Sequence, residues 1–306
     1  MARTGNDLVL RAKPNESLTL DEMRVSLPSI FAPKKHVLRS ERYVYISTSD
    51  MLDELMKRDF VPVEARMSRV REPSGEWTSP ESRFGYTKHM VRLRRRDDLA
   101  GGGARRVGDT SFEVIMKNAH DGTGSYQFMA GLLKLICTNG LVVSDGSVGN
   151  VKVIHTGNRQ RQIDKVVEGA TIVLEQGPRV IETVKLWQSL MLSVDERTAF
   201  AESAHTLRFG DAKGEVHTPI TPQQLLIPRR YADEPNDLWT VFNRVQENAV
   251  RGGITAMGRN AQNRPHRVTS REIRGIDGDI KLNKALWQLS EKLAAHKIGE
   301  RVVEEV

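Results

Sequence analysis

The sequence predicts an α+β fold, with an N-terminal antiparallel sheet on a β-β-β-α core and a mainly helical C-terminal half. Two observations predict it. Between residues 60 and 120, three runs alternate apolar and polar side chains and are separated by long polar loops, the period-two signature of half-buried strands. Beyond residue 160 the apolar positions recur at helical spacing, in segments that begin on capping residues or proline.

Residues 1–40 read as an N-terminal arm. It is basic, and prolines at 28 and 33 enforce extended chain. One short helix covers Leu18–Val25, starting from Ser17 or Thr19 with Asp21 and Glu22 in its first turn. A sheet-bearing domain follows over 41–157. Arg42–Ser47 is dense in aromatic and β-branched residues and reads as a strand. Thr48-Ser49-Asp50 then caps a helix carrying Met51, Leu52, Leu55 and Met56, which ends at Asp59.

Phe60–Arg71 sets Val61, Val63, Ala65 and Met67 against Glu64, Arg66 and Ser68. After a polar loop at 72–85, Tyr86–Arg96 sets Thr87, His89, Val91 and Leu93 against Lys88, Met90, Arg92, Arg94 and Arg96. Ser111–His120 sets Phe112, Val114 and Met116 against Glu113, Ile115 and Lys117. An antiparallel meander is the simplest connection. Ser125–Ile136 carries Phe128, Leu132, Leu135 and Ile136 at helical spacing and reads as a helix covering the apolar face, and a short strand over Val151–His155 closes the domain.

The region 158–306 reads as helices near 162–175, 178–192, 195–209, 236–250 and 279–297, with Pro178 at a first position and Ser193 as a cap. Trp239 and Trp287 belong to its core, and Asp279 caps the last helix with Asp277 in the preceding turn. The stretch 210–228 is rich in turns. The stretch 251–274, rich in Gly, Asn and Arg and poor in apolar residues, reads as a mobile basic loop.

Composition narrows the function classes. The 306 residues carry a formal charge of +7, with 39% hydrophobic and 28% charged residues, as in a soluble protein with a polar surface. No apolar run approaches membrane-spanning length, and the first residues lack the apolar core of a secretory signal. Cys137 stands alone in an apolar register, which reads as a buried inert thiol in a reducing cytoplasm.

The charge is concentrated. Eight Lys or Arg lie between Arg83 and Arg106 against Asp97 and Asp98, and six Arg lie between Arg251 and Arg274 against Glu272. The polar face of the predicted sheet would carry Arg66, Lys88, Arg92, Arg94 and Lys117, with Arg96 at a strand end, and the C-terminal loop adds Arg259, Arg264 and Arg267. Such segments point to a polyanion. Tyr43, Tyr45, Phe84 and Tyr86 interleave with them, as suits stacking of unpaired bases.

His120 and Asp121, with Asn118 and His89 on neighbouring strands, form the one cluster resembling a metal or acid–base site. Asn, Asp and Gly also favour turns for conformational reasons alone. The loop His120-Asp121-Gly122-Thr123-Gly124 could instead present backbone N–H groups to a phosphate. The Gly-Lys-Ser/Thr ending of a phosphate-binding loop is absent, as are HExxH and CxxC, and no residue is assigned a catalytic role.

Several stretches occur in the order of one known pattern: Arg39-Ser40-Glu41-Arg42-Tyr43, Thr87-Lys88-His89-Met90, Asn118 through Gln127 and Cys137 through Val142. Asp237-Leu238-Trp239-Thr240, Gln246-Glu247-Asn248 and Arg274 through Asp279 with Lys281-Leu282-Asn283 continue it. Together they resemble the phage/plasmid-like family of domain of unknown function nine-three-two. The resemblance covers roughly residues 20 to 295 and implies a mobile-element setting, with no established activity to carry over.

The expected function is therefore a cytoplasmic nucleic-acid-binding protein of a mobile element, without catalysis or cofactor. It would bind single-stranded DNA, assist recombination or annealing, and form a homo-oligomer. The β-β-β-α order is similar to the core of phage single-strand annealing proteins, a fold-level analogy. A metal-dependent nuclease using Mg²⁺ at His120 and Asp121 is the first alternative, and an anti-defence protein binding a host factor the second.

Overall fold

The alternating runs of the N-terminal half become strands at nearly the positions their pattern sets. The computed structural model describes residues 7–13, 15–69, 82–99, 110–134, 140–142 and 151–304. Cys137 and the arginines at 105 and 106 lie outside the described residues. In chain order the first half contains β1 (Leu8–Arg11), α1 (Leu20–Ser26), α2 (Thr48–Met56), β2 (Phe60–Met67), β3 (His89–Arg95) and β4 (Thr110–Asn118). It continues with β5 (Tyr126–Lys134), β6 (Gly140–Val142), β7 (Val151–Val153) and α3 (Arg159–Glu175). One sheet takes all seven strands in the order β1 to β6, with β7 also pairing β5. The documented pairings are antiparallel.

The first correction to the sequence reading falls on 125–136. That stretch is the strand β5, not a helix, so the core is a β-β-β-β meander. Gly122, at φ +78°, and the Asx turn of Asp121 reverse the chain, and β5 pairs with β4 from Lys117↔Gln127 to Thr110↔Lys134. Tyr126, Phe128, Ala130 and Leu132 occupy one face and Met129 the other, all buried. A strand covered on both sides loses its polar alternation, and an apolar run of that length no longer reveals its period.

Residues 7–32 are built into this unit rather than lying across it as an arm. β1 extends the sheet, with Leu8 opposite Met67, and Met23, Leu27 and Ile30 are fully buried. Thr19 and Glu22 close the expected capping box on α1. Residues 42–47 form no named strand. They form the isolated bridge Tyr43↔Thr156, with Val44 N–H donating to His155 O and His155 Nδ1 donating to Val44 O, and Asn118 on β4 donates to Ile46 O.

The chain separates into two compact units, the first holding Met1–Leu135, Gly146–Gly177 and Arg274–Ile276. The division comes at Gly177 rather than near 157, because α3 packs on β5 and β7. Gly169 permits that approach, since a Cβ there would sit 2.4 Å from Val151 Cγ1. The apolar sheet face, including Val91, Leu93, Val114 and Met116, is fully buried.

The second unit contains α4 (Gly177–Ser189), α5 (Val194–Phe209), α6 (Pro222–Leu225), α7 (Leu238–Arg251), β8 (Thr255–Arg259), β9 (Pro265–Thr269) and α8 (Ile276–Glu304). Its core is aromatic, as the tryptophan positions imply: the Trp187 and Trp287 rings lie 4.4 Å apart, and Phe242 is 5.7 Å from Trp187. Every residue of α7 from Leu238 to Val250 is buried, its polar members held by specific partners. The Arg244 guanidinium donates to the carbonyls of Leu226, Asp233, Glu234 and Pro235, and Gln246 donates to Asn283, which donates to Asp279. Among the described residues no helix is long and apolar enough to cross a membrane.

Candidate functional site

The polar face of the sheet does not form a solvated cationic surface. Arg66, Arg92 and Lys117 are buried, with Arg92 1% exposed, and Arg94 is half-buried. The register explains it: Glu64 on β2 lies opposite Arg92 on β3, and Arg94 lies opposite Glu113 on β4. Arg92 reaches Glu113 at 3.2 Å and Glu64 at 3.7 Å, Arg94 reaches Glu113 at 2.8 Å, and Arg66 and Arg11 close on Glu64 at 2.6 and 2.8 Å. Burial alone would raise the Glu64 pKa, but Arg66, Arg92 and Arg11 outweigh it and hold the carboxyl at about 2. Arg66, Arg92, Arg94 and Lys117 are thus corrected from nucleic-acid contacts to parts of a buried face, and two acids in the sequence pattern become its centres. Lys88 is half-buried with its Cε near Gly124, and Arg96 remains exposed.

On the opposite face, His89, Asn118 and His120 come together as their positions suggested, around Thr48 at the start of α2. His89 Nδ1 donates to Thr87 O at 2.9 Å, so its Nε2 is left to accept the Thr48 hydroxyl proton at 2.8 Å. Asn118 Nδ2 donates to Thr48 Oγ1 at 3.0 Å, and His120 Nε2 lies 3.3 Å from the same oxygen. With the hydroxyl proton committed to His89, His120 donates through Nε2, and its buried Nδ1 has no hydrogen-bond partner. Burial lowers the His89 pKa to about 4, opposed by its hydrogen bond to Thr87, and burial with the neighbouring His89 and His155 holds His120 well below its ordinary value.

Asp121 diverges from this cluster. One carboxylate oxygen takes the Arg83 guanidinium at 2.7 Å, and the other takes the backbone N–H and hydroxyl of Thr123. His120 and Asp121 therefore share no ligand position. Three potential metal ligands that do converge among the described residues, Asp211, Glu215 and His217, sit exposed on a turn.

What the loop does build is a pocket on the solvent side. The segment 36–44 is laced to it: His36 N–H donates to His120 O, Tyr43 OH donates to Ala119 O at 2.7 Å, and Tyr43 stacks on His155 at 4.6 Å. Arg39 lies over Gly122, where a Cβ would meet its Nη1 at 2.8 Å. The result is an open cavity of about 420 Å³ lined by Arg39, Arg42, Lys152 and His155 together with the Gly122–Ser125 turn. Tyr45 OH bonds to Ala32 O and Tyr86 packs edge-on against His36, so these aromatic rings are engaged within the fold. Gly122 and Gly124 stood out in the sequence. Arg39 and Arg42 entered only through the family resemblance, and Lys152 and His155 not at all, because the two pairs lie more than a hundred positions apart and meet through the Tyr43↔Thr156 bridge and its neighbouring hydrogen bonds.

In the second unit, the stretch 251–274, read from the sequence as a mobile basic loop, contains an antiparallel ribbon of β8 and β9, with Met257 opposite Arg267 and Arg259 opposite Pro265. Its inward residues are few and small, which is why a composition count misses it. Ala256, Gly258 and Val268 point inward, Gly258 lying close to Pro219 and Gln224 donating to Thr255 O. Met257 (67% exposed), Arg259, Pro265 and Arg267 point outward, and Arg264 sits exposed at the turn.

Residues 35–287 match the model of a family described as Domain of unknown function (DUF932). The chain is 44% identical over 287 residues to UPF0380 protein YafZ of Escherichia coli (strain K12), covering 94% of each chain. It is 43% identical over 287 residues to UPF0380 protein YfjQ of the same organism, again covering 94% of each. No solved structure matches.

Proposed function

The chain belongs to this family of domain of unknown function (DUF932), and from that premise we propose a nucleic-acid-binding protein of a mobile genetic element, without catalysis of its own. The observation that carries this reading is the sidedness of the β8–β9 ribbon. Its outer face offers Arg259, Arg267 and, at the turn, Arg264, with no acid between Arg251 and Glu272. Exposed arginines on the ribbon keep their charge available to phosphates, unlike those neutralised in the sheet. Met257 and Pro265 add apolar surface beside them. Unpaired bases present apolar faces that such side chains can cover, whereas a duplex keeps them stacked inside, so single-stranded DNA undergoing annealing or recombination is the partner we propose.

The test is a salt titration of full-length protein with labelled single- and double-stranded oligonucleotides. Each lost phosphate contact on a single strand lowers the log–log salt slope by about 0.7. Arg259→Ala with Arg267→Ala should therefore reduce it by about 1.4, while an unfolding curve stays where it was. Binding that ignores ionic strength, or a slope untouched by the double substitution, would remove the ribbon as the contact.

A further inference from the structure

We propose that the pocket of the first unit binds a phosphomonoester, its phosphate held between Arg39, Arg42 and Lys152 and the Gly122–Ser125 turn. Three cations converge there from two separate segments, and none of the residues lining the cavity is acidic. Arg39, Arg42 and Lys152 have no carboxylate at ion-pair distance among the described residues, in contrast to the neutralised arginines of the sheet. Arg39 Nε is in addition buried without an acceptor, the condition of a donor awaiting a ligand oxygen. Asp121, which precedes the turn, is turned inward and spent on Arg83 and Thr123, and Glu41, between Ser40 and Arg42, pairs with Lys35 at 3.4 Å.

Shape supports the same class. Ser40, Ser125 and Thr156 place hydroxyls around the cavity that can donate to phosphate oxygens the cations leave, the Thr123 hydroxyl being committed to Asp121. Gly122 has to be glycine twice over, for its positive φ and because Arg39 rests on its Cα. The volume of about 420 Å³ exceeds what a bare phosphate fills and lies in the range of small-ligand sites. Ile154, 56% exposed on the wall, offers an apolar surface for an organic moiety attached to the phosphate. The shared chemistry of a free nucleoside monophosphate and of a terminal phosphate on a nucleic acid meets these requirements, whereas internal phosphodiesters carry one charge fewer at neutral pH.

The site is separate from the ribbon, so its test is independent of the function proposed above. Calorimetric titration of the full chain would use inorganic phosphate, a deoxynucleoside 5′-monophosphate, the matching nucleoside, and one oligonucleotide with and without a 5′-phosphate. The monophosphate should bind and the nucleoside should not. Arg39→Gln and Lys152→Gln should each weaken it about tenfold or more, since each removes a charge-assisted contact. Arg39→Lys should recover part of the loss, and Arg161→Gln, on the exposed side of α3, should change nothing, with circular dichroism confirming that each variant is folded. A 5′-phosphorylated oligonucleotide binding more tightly than the monophosphate assigns the site to strand ends; the reverse order assigns it to free nucleotides. Monophosphate and nucleoside binding alike, no binding of either, or binding indifferent to Arg39→Gln would each overturn the proposal. The ribbon variant Arg259→Ala/Arg267→Ala should leave monophosphate affinity unchanged, and a parallel loss there would place the binding on the ribbon instead.

Discussion

Replacing Glu113 by alanine should cost the first unit about 3–5 kcal/mol of stability, the loss expected when one partner of a buried charge network is removed. Glu113 accepts from Arg92 at 3.2 Å and from Arg94 through two nitrogens at 3.1 and 2.8 Å. Without it, Arg92 keeps Glu64 at 3.7 Å but stays buried, its charge only partly compensated. The midpoint of urea unfolding measures the effect, with the slope checked for constancy. Arg92→Met together with Glu113→Met should cost less than the two single changes summed, because neither member of that pair is then left buried without the other, the residual cost being that of Arg94, which loses its carboxylate. A loss below about 1 kcal/mol for Glu113→Ala would mark the network as a solvated surface pair, as the sequence pattern alone had implied.

Acidification should destabilise the same unit before its carboxylates titrate. His89 is neutral in the folded protein down to about pH 4, because burial dominates the Thr87 hydrogen bond and the nearby Asp121 charge. In the unfolded chain it takes a proton near its ordinary value of 6.5. Between these limits the unfolded state binds more protons, so stability falls as pH drops, by about 3 kcal/mol over the whole interval. His120, shifted in the same direction, adds to the loss. Glu64 behaves as the opposite charge type: its depressed pKa contributes stability above about 4.5 that disappears as pH falls towards 2. Melting temperatures of wild type and His89→Gln between pH 7.5 and 4.5 would separate these effects. The variant should be less stable at pH 7.5, having lost the Thr48 and Thr87 arrangement, and should show a flatter decline. Parallel profiles in the two proteins would refute the assignment of the proton to His89.

Strand positions β2, β3 and β4 were legible because each has one apolar and one polar face, and α1 and α5 because Thr19 and Ser193 announce them. β5 was not, since burial on both faces erases the alternation that distinguishes strand from helix. The ribbon at 255–269 was hidden by brevity: Ala256, Gly258 and Val268 are too few and too small to raise a hydrophobic signal, yet they suffice to seat it. Of the candidate site, His89, Asn118, His120 and the Gly122–Gly124 turn were visible as such, while Thr48 read only as part of a helix cap, Arg39 and Arg42 only as part of the family pattern, and Lys152 not at all.

By itself the sequence determined the α+β class, the capped starts of α1 and α5, the tryptophan core and the excess of positive charge, because these depend on local period, capping chemistry and composition, whereas Asp279, read as a cap, lies inside the first turn of α8. Only the tertiary structure decided which of those charges are free. Strand register pairs Arg92 and Arg94 with Glu64 and Glu113 across a buried face, while chain crossing at Tyr43 and Thr156 gathers Arg39, Arg42 and Lys152 around one cavity without an acidic partner among the described residues. A charge acts on a ligand only if no neighbouring charge neutralises it, and which residues become neighbours is settled by pairing across dozens of positions.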